Sequence, residues 1–208
     1  MKGKFLMAGG IALCLVVGLV AAVRWPHPKP FSQSTASAAQ QTGDDTPAAD
    51  AEPDTRRDVL LDGRNARLAP QFAAGEWINS GPVKLEALRG RVVLVDFWTF
   101  GCYNCRNTLP ALKQLDDAYR TRGLSIIGVH SPEFDREKRI ENIRREVASL
   151  GIKYPVVTDN DYETWQAYNV EAWPTVVILD KRGRIRFTHI GEGLYDEQES
   201  VIKQLLAE

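Results

Sequence analysis

RVVLVDFWTFGCYNCRNTLP, residues 91–110, places two cysteines three apart immediately after an apolar run. Val92 to Trp98 is continuous and Val-rich, broken only by Asp96, the pattern of a strand buried on both faces. Beyond the cysteines, Leu109, Leu112, Leu115 and Tyr119 recur on one side of a helix expected over Tyr103–Arg122, which Gly123 stops. LSIIGVH (124–130) reads as a second buried strand. Strand, helix and strand in that order make a parallel crossover.

Working outward, REKRIENIRREVASLG (136–151) sets Ile140, Ile143, Val147 and Leu150 on one helix face, closed by Gly151. A short strand near Pro155–Thr158 and a short helix near Tyr162–Tyr168 follow. TVVILDKRGRIRFTHI (175–190) has two β-rich runs about a Gly-containing turn, the sign of an antiparallel hairpin. DEQESVIKQLLAE (196–208) closes the chain as an amphipathic helix. On the upstream side, QFAAGEWINSGPVKLEALRG (71–90) suggests a small hairpin and a turn of helix. The expectation is one α/β domain over 58–208, with a central mixed sheet flanked by helices, an N-terminal hairpin extension and a helical insert.

The first 57 residues differ in character. Lys2 and Lys4 precede an uncharged stretch from Phe5 to Val23, just long enough to cross a bilayer core as a helix. Residues 1–24 therefore read as an uncleaved signal anchor or a cleaved signal peptide, with Val20-Ala21-Ala22 as a small-residue cleavage site. Both export the remainder. Cys14 follows Leu13, not a small residue, and reads as a lipid-facing apolar side chain rather than a lipoprotein cysteine. Residues 25–57 are rich in Pro, Ser, Thr, Ala, Gln and Asp and cannot bury enough surface to offset their ordering entropy. They read as a flexible tether with a reach of roughly 30 Å. The formal net charge is −1, with no basic cluster that would suggest nucleic acid.

Three readings compete for Cys102 and Cys105. A structural bridge three residues apart constrains little chain, worth about 2 kcal/mol against nearly 5 for a hundred-residue loop. A structural zinc site needs four ligands, and beyond these two thiols the stretch over 58–208 offers only scattered His130 and His189. The redox reading explains the placement. Cys102 falls at a helix N-terminus, where unpaired N–H groups stabilise a thiolate, and Cys105 lies one turn on, facing inward. An exposed nucleophile beside a shielded resolving thiol is what thiol–disulfide exchange requires. Asp96, a carboxylate in a buried strand, is expected to have a raised pKa and to exchange protons with Cys105.

VLVDFWTFGCYNC (93–105) resembles the active-site strand and turn of the thioredoxin superfamily. The resemblance implies a thioredoxin-like fold, with Asp96 as the buried acid and base and Cys102 and Cys105 as the redox-active disulfide. AWPTVVILD (172–180) is similar to the superfamily's cis-proline loop and makes Pro174 the cis residue. Pro110 matches the proline that kinks the active-site helix. The anchor, WINSGPVKLEALRGRVVLVDFW (77–98) and the insert over 128–165 resemble the membrane-anchored TlpA/ResA/DsbE group, and within it the thioredoxin-like domain of DipZ-type proteins. Trp173, Pro174 and Trp98 are then expected to bind substrate, Trp173 either making the groove more aromatic than where Thr or Val stands or serving as a packing residue. His130 and Glu133, at the end of a parallel strand, are either loop polar residues or groups that tune the cysteines.

The activity implied is that of an extracytoplasmic, membrane-tethered thiol–disulfide oxidoreductase that reduces protein disulfides, including those of apocytochrome c before haem attachment. It needs no cofactor and no metal. Its partners would be protein disulfide substrates and a DsbD/CcdA-like membrane electron donor, with the catalytic domain on the periplasmic side of a bacterial cytoplasmic membrane. Two rivals remain. A thiol peroxidase has support from Thr99, three before Cys102, but Val95 stands where its proline would be. A metal or haem chaperone would use the two thiols alone.

Overall fold

A computed structural model describes residues 58–208. The expected anchor and tether, residues 1–24 and 25–57, lie outside the described residues. Among the described residues no helix is long and apolar enough to cross a membrane.

The central strand β2, Val92–Trp98, is buried at every position. It pairs in parallel with β3, Leu124–His130, and antiparallel with β5, Thr175–Leu179. Beyond β3 lies the parallel β4, Val156–Thr158, and beyond β5 the antiparallel β6, Ile185–Ile190. A two-residue strand β1, Trp77–Ile78, completes a six-stranded mixed sheet in the order β1-β4-β3-β2-β5-β6. The helices are α1 (Tyr103–Tyr119), α2 (Ile140–Ser149), α3 (Glu163–Ala167) and α4 (Tyr195–Ala207). This is the thioredoxin-like α/β fold implied by the active-site motif.

The period of two along β2 assigns its side chains. Val92, Leu94 and Trp98 join one core with Leu109 and Leu112 of α1, Ile143 and Val147 of α2, and Ile202 and Leu205 of α4. Val93, Val95 and Phe97 join the other, against Tyr168, Val170 and the lead-in residues Phe72 and Trp77. Burying each large aliphatic side chain stabilises the fold by about 1.5–3 kcal/mol, so the sheet is held from both faces. Asp96 shares the α1 face with Leu94 and Trp98.

The lead-in departs from expectation. It forms no hairpin of its own: β1 pairs antiparallel with β4, Leu68 bridges Arg184 across the far edge, and a 3-10 turn occupies Leu85–Leu88. Gly81 and Pro82 break the run after β1, and proline has no N–H to give a returning strand. The last turn of α1 tightens into a 3-10 turn, Arg120–Arg122, before Gly123 at φ 109°.

Candidate functional site

β2 ends at Trp98, and Thr99–Gly101 carry the chain to the N-terminus of α1. Cys102 is the N-cap, in extended conformation, and its Sγ accepts the Cys105 N–H at 3.2 Å. The two cysteines form a disulfide with Cα atoms 5.3 Å apart. Cys102 is half-buried while Cys105 is 1 % exposed. The N-cap position satisfies one of the first-turn donors with sulfur, and the remaining N–H groups and the helix dipole favour negative charge there. Pro110 lies inside α1, where it deprives the Arg106 carbonyl of its helical donor.

Asp96 is 1 % exposed, and neither carboxyl oxygen has a partner among the described residues. Burial pushes it up to about 7 from the ordinary 3.8. It sits opposite Gly128 on β3 and Val176 on β5. A side chain at Gly128 would meet Trp98 Nε1 at 3.0 Å and the Tyr154 ring at 3.4 Å. Trp98 Nε1 and the Tyr154 hydroxyl likewise have no partner among the described residues. The Tyr154 hydroxyl is raised well above its usual range, by burial first and then by Asp96 and Asp116.

Trp98 is not at a substrate surface. It is 1 % exposed, because even-numbered β2 residues point under α1, and it meets the His130 ring edge-on at 5.2 Å. The Trp173–Pro174 peptide is cis. Trp173 is half-buried, packs against Trp165 with ring centroids 4.5 Å apart, and belongs to an aromatic run that includes Tyr162. It is therefore both packed and partly exposed, with its indole Nε1 buried and without a partner among the described residues. Tyr103, between the cysteines, is 76 % exposed and adds an apolar surface to the reactive turn.

Beyond the end of β3 the buried carboxylate is Glu137, which lies in the segment read from the sequence as a helix and was not singled out there. Glu133 is exposed and contributes its backbone N–H. Glu137 is fully buried. Its Oε2 accepts the Thr99 hydroxyl at 2.6 Å and the N–H groups of Glu133 and Phe134 at 2.8 and 3.4 Å. Its Oε1 lies 2.0 Å from where a side chain on Gly101 would begin. His130 Nε2 is 3.3 Å from the Thr99 hydroxyl, and because that hydroxyl donates to Glu137 it is free to accept from His130. Burial lowers His130 to about 4 from 6.5, with Glu137 opposing, and its ring stacks on Phe100. Thr99, His130 and Glu137 thus clasp the turn that presents Cys102. Only the adjacency of β2 and β3 brings them together, so no local pattern marked Glu137.

Comparison with known proteins places this site among relatives. The AhpC/TSA family model matches residues 66–188. Protein DipZ of Mycobacterium tuberculosis is 41% identical over 133 residues, 62% of this chain and 19% of DipZ, so the chain spans about a fifth of that relative. Thiol-disulfide oxidoreductase ResA of Bacillus anthracis is 27% identical over 137 residues, 66% of this chain and 76% of ResA. The crystal structure of a thiol-disulfide isomerase from Corynebacterium glutamicum superposes with a TM-score of 0.58 at 28% identity, covering 67% of this chain and 97% of that one.

Proposed function

The chain belongs to the AhpC/TSA family, and on that premise we propose that it is a membrane-tethered thiol–disulfide oxidoreductase that reduces protein disulfides on the extracytoplasmic side. The observation that carries this reading is the Cys102–Cys105 disulfide at the N-terminus of α1 with Asp96 buried on the α1 face of the sheet below it. The ResA and isomerase likenesses support the same chemistry.

In the reduced protein the Cys102 thiolate attacks one sulfur of a substrate disulfide. The substrate S–S bond breaks, its far sulfur leaves as a thiolate that takes up a proton, and a mixed disulfide forms. Asp96 accepts the Cys105 proton, its raised pKa matching it to that task near neutral pH. The Cys105 sulfur then attacks Cys102, the mixed disulfide breaks, and the second substrate thiol departs protonated. Two electrons pass to the substrate and the dithiol becomes the disulfide. Pro174 and Trp173 hold the substrate backbone against Cys102. Regeneration requires an electron donor of the DsbD/CcdA kind in the membrane, and apocytochrome c disulfides are the substrate class the group suggests. Thr99 is committed to Glu137 and His130, which weighs against its serving peroxide at Cys102.

The test is the reduction potential of the Cys102–Cys105 pair, read in dithiol buffers. A value near −270 mV, roughly that of thioredoxin, supports a reductase. A value near −120 mV, about that of DsbA, would make the protein a disulfide-forming oxidant instead.

A further inference from the structure

The sheet order gives the reactive turn two flanks. β2 lies between β3 and β5, so the cis-proline loop entering β5 borders Cys102 on one side and the segment after β3 borders it on the other. On that second flank a cavity of about 340 Å³ opens. Gly101, the residue before Cys102, lines it, together with Arg106 of α1, Arg136 of the turn before α2, and Arg145 of α2. The one carboxylate lining it belongs to Glu146.

These guanidiniums are underused. Each has five N–H donors, yet their side chains make a single hydrogen bond among the described residues, Arg145 Nη2 to Asn142 Oδ1 at 3.0 Å. Asn142 in turn donates to the Arg136 carbonyl at 2.7 Å, which fixes that wall. The ion pairs are loose: Arg136 Nε stands 3.8 Å from Glu137 Oε1, and Arg145 Nε 3.9 Å from Glu146 Oε1, both beyond hydrogen-bond length. Arg136 also lies over the Phe134 ring, 5.7 Å from its centroid. Arg106, one turn past Cys102, has no side-chain partner among the described residues. A chain of net charge −1 thus gathers three cations with spare donors around a cavity that reaches the residue before its reactive thiol.

We propose that this cavity is a specificity site for an acidic side chain, Asp or Glu, next to the target cysteine of the disulfide substrate. This rests on the oxidoreductase reading above. The planar guanidinium fork matches a carboxylate with two parallel hydrogen bonds, and Arg106 and Arg145 reach the site from two different helices. Gly101 lines the cavity and directly precedes Cys102 in the chain, so the substrate's neighbouring residue enters as its sulfur meets Cys102. Opposite charge on the substrate also raises the encounter rate, an effect that salt screens.

The test uses the reduced full chain and two disulfide-bridged peptides that differ only beside the cysteine, one with Glu and one with Lys. The expected kcat/KM is about tenfold higher for the Glu peptide, mostly through KM, and the difference shrinks as salt rises. In the R106Q/R145Q variant the ratio should fall to within about twofold, and because it is a ratio, a change in overall stability cancels. Equal rates for the two peptides in the unmodified chain, or an unchanged ratio in the variant, would overturn the site. If neither peptide is reduced, the oxidoreductase reading fails separately. The site is then judged by binding of the same peptides with Ser for Cys, where tighter binding of the Glu peptide supports it and equal binding overturns it.

Discussion

Asp96 and His130 are both buried, and their protons oppose one another in the stability of the fold. Between about pH 4 and 6.5 the folded chain keeps a proton on Asp96 that the unfolded chain has released. Over the same range the unfolded chain holds a proton on His130 that the folded chain refuses. The net uptake is near zero, so this pair gives little slope to stability against pH there. Taken alone, Asp96 removes stability as pH rises from about 4 through 7, by at most about 4 kcal/mol. His130 alone removes stability as pH falls from 6.5 through about 4, by at most about 3 kcal/mol. D96N should therefore match the parent below pH 4 and exceed it above pH 7, with stability rising from pH 4 to 6.5. H130N should do the reverse and lose stability from pH 4 to 7. Denaturant unfolding of the oxidised proteins across this range reads both, and curves parallel to the parent's would refute the opposition. Asp96 was legible as an ionisable group in a strand because it interrupts an otherwise apolar run. His130 was visible as a strand-end residue, either a loop polar group or a tuner of the cysteines, but its burial was not legible, since it depends on Phe100 and Trp98 closing over it.

The elements of the active-site turn are coupled through one contact. A methyl group on Gly101 would start 2.0 Å from Glu137 Oε1, and Oε2 of the same carboxylate is fixed by three donors. G101A is expected to destabilise the fold by about 1–3 kcal/mol, since neither backbone can give way freely. E137A is expected to destabilise it too, by leaving the Thr99 hydroxyl and two N–H groups unmet. Combined, the two should cost at least about 1 kcal/mol less than their sum, because removing the carboxylate makes room for the methyl. Additive effects in unfolding measurements would mean that the turn relaxes independently. The longer elements were legible because their periodicity is repeated: Leu109, Leu112 and Tyr119 mark the face of α1, and the Val-rich run marks β2. The Asp180–Gly183 turn was legible as well, with Gly183 at φ 70°. β1 was not. Two residues carry no period, and its partner β4 lies some eighty residues away in sequence, so Trp77 and Ile78 suggested a local hairpin where the sheet edge supplied a distant strand.

At the scale of the whole molecule, the chemistry and the stretches read from the sequence as anchor and tether occupy separate parts of the chain. Every residue of the reactive site falls between Asp96 and Pro174, whereas the uncharged run of Phe5–Val23 and the Pro- and Asp-rich stretch after it precede the described domain. If residues 1–24 act as an anchor, the full chain should remain with membranes through a high-salt wash and leave only with detergent, because an apolar helix, unlike a basic patch, is held by burial rather than by charge. A chain lacking residues 1–24 should be soluble and keep the same Cys102–Cys105 reduction potential, since the helix N-terminus, Asp96 and the Glu137 clasp are all intact. A full chain recovered soluble, with a new N-terminus just after Ala22, would establish a cleaved signal peptide. A potential altered by the deletion would show that the leading segment touches the site. The separation has a physical consequence for turnover. If residues 1–24 are the anchor, a tether with a reach of roughly 30 Å would confine the thiol to a thin layer at the bilayer surface, and would raise its effective concentration at a membrane-borne electron donor without any contact of its own. Slower reduction of the soluble form by donor-containing vesicles, at unchanged potential, would therefore measure what the tether contributes.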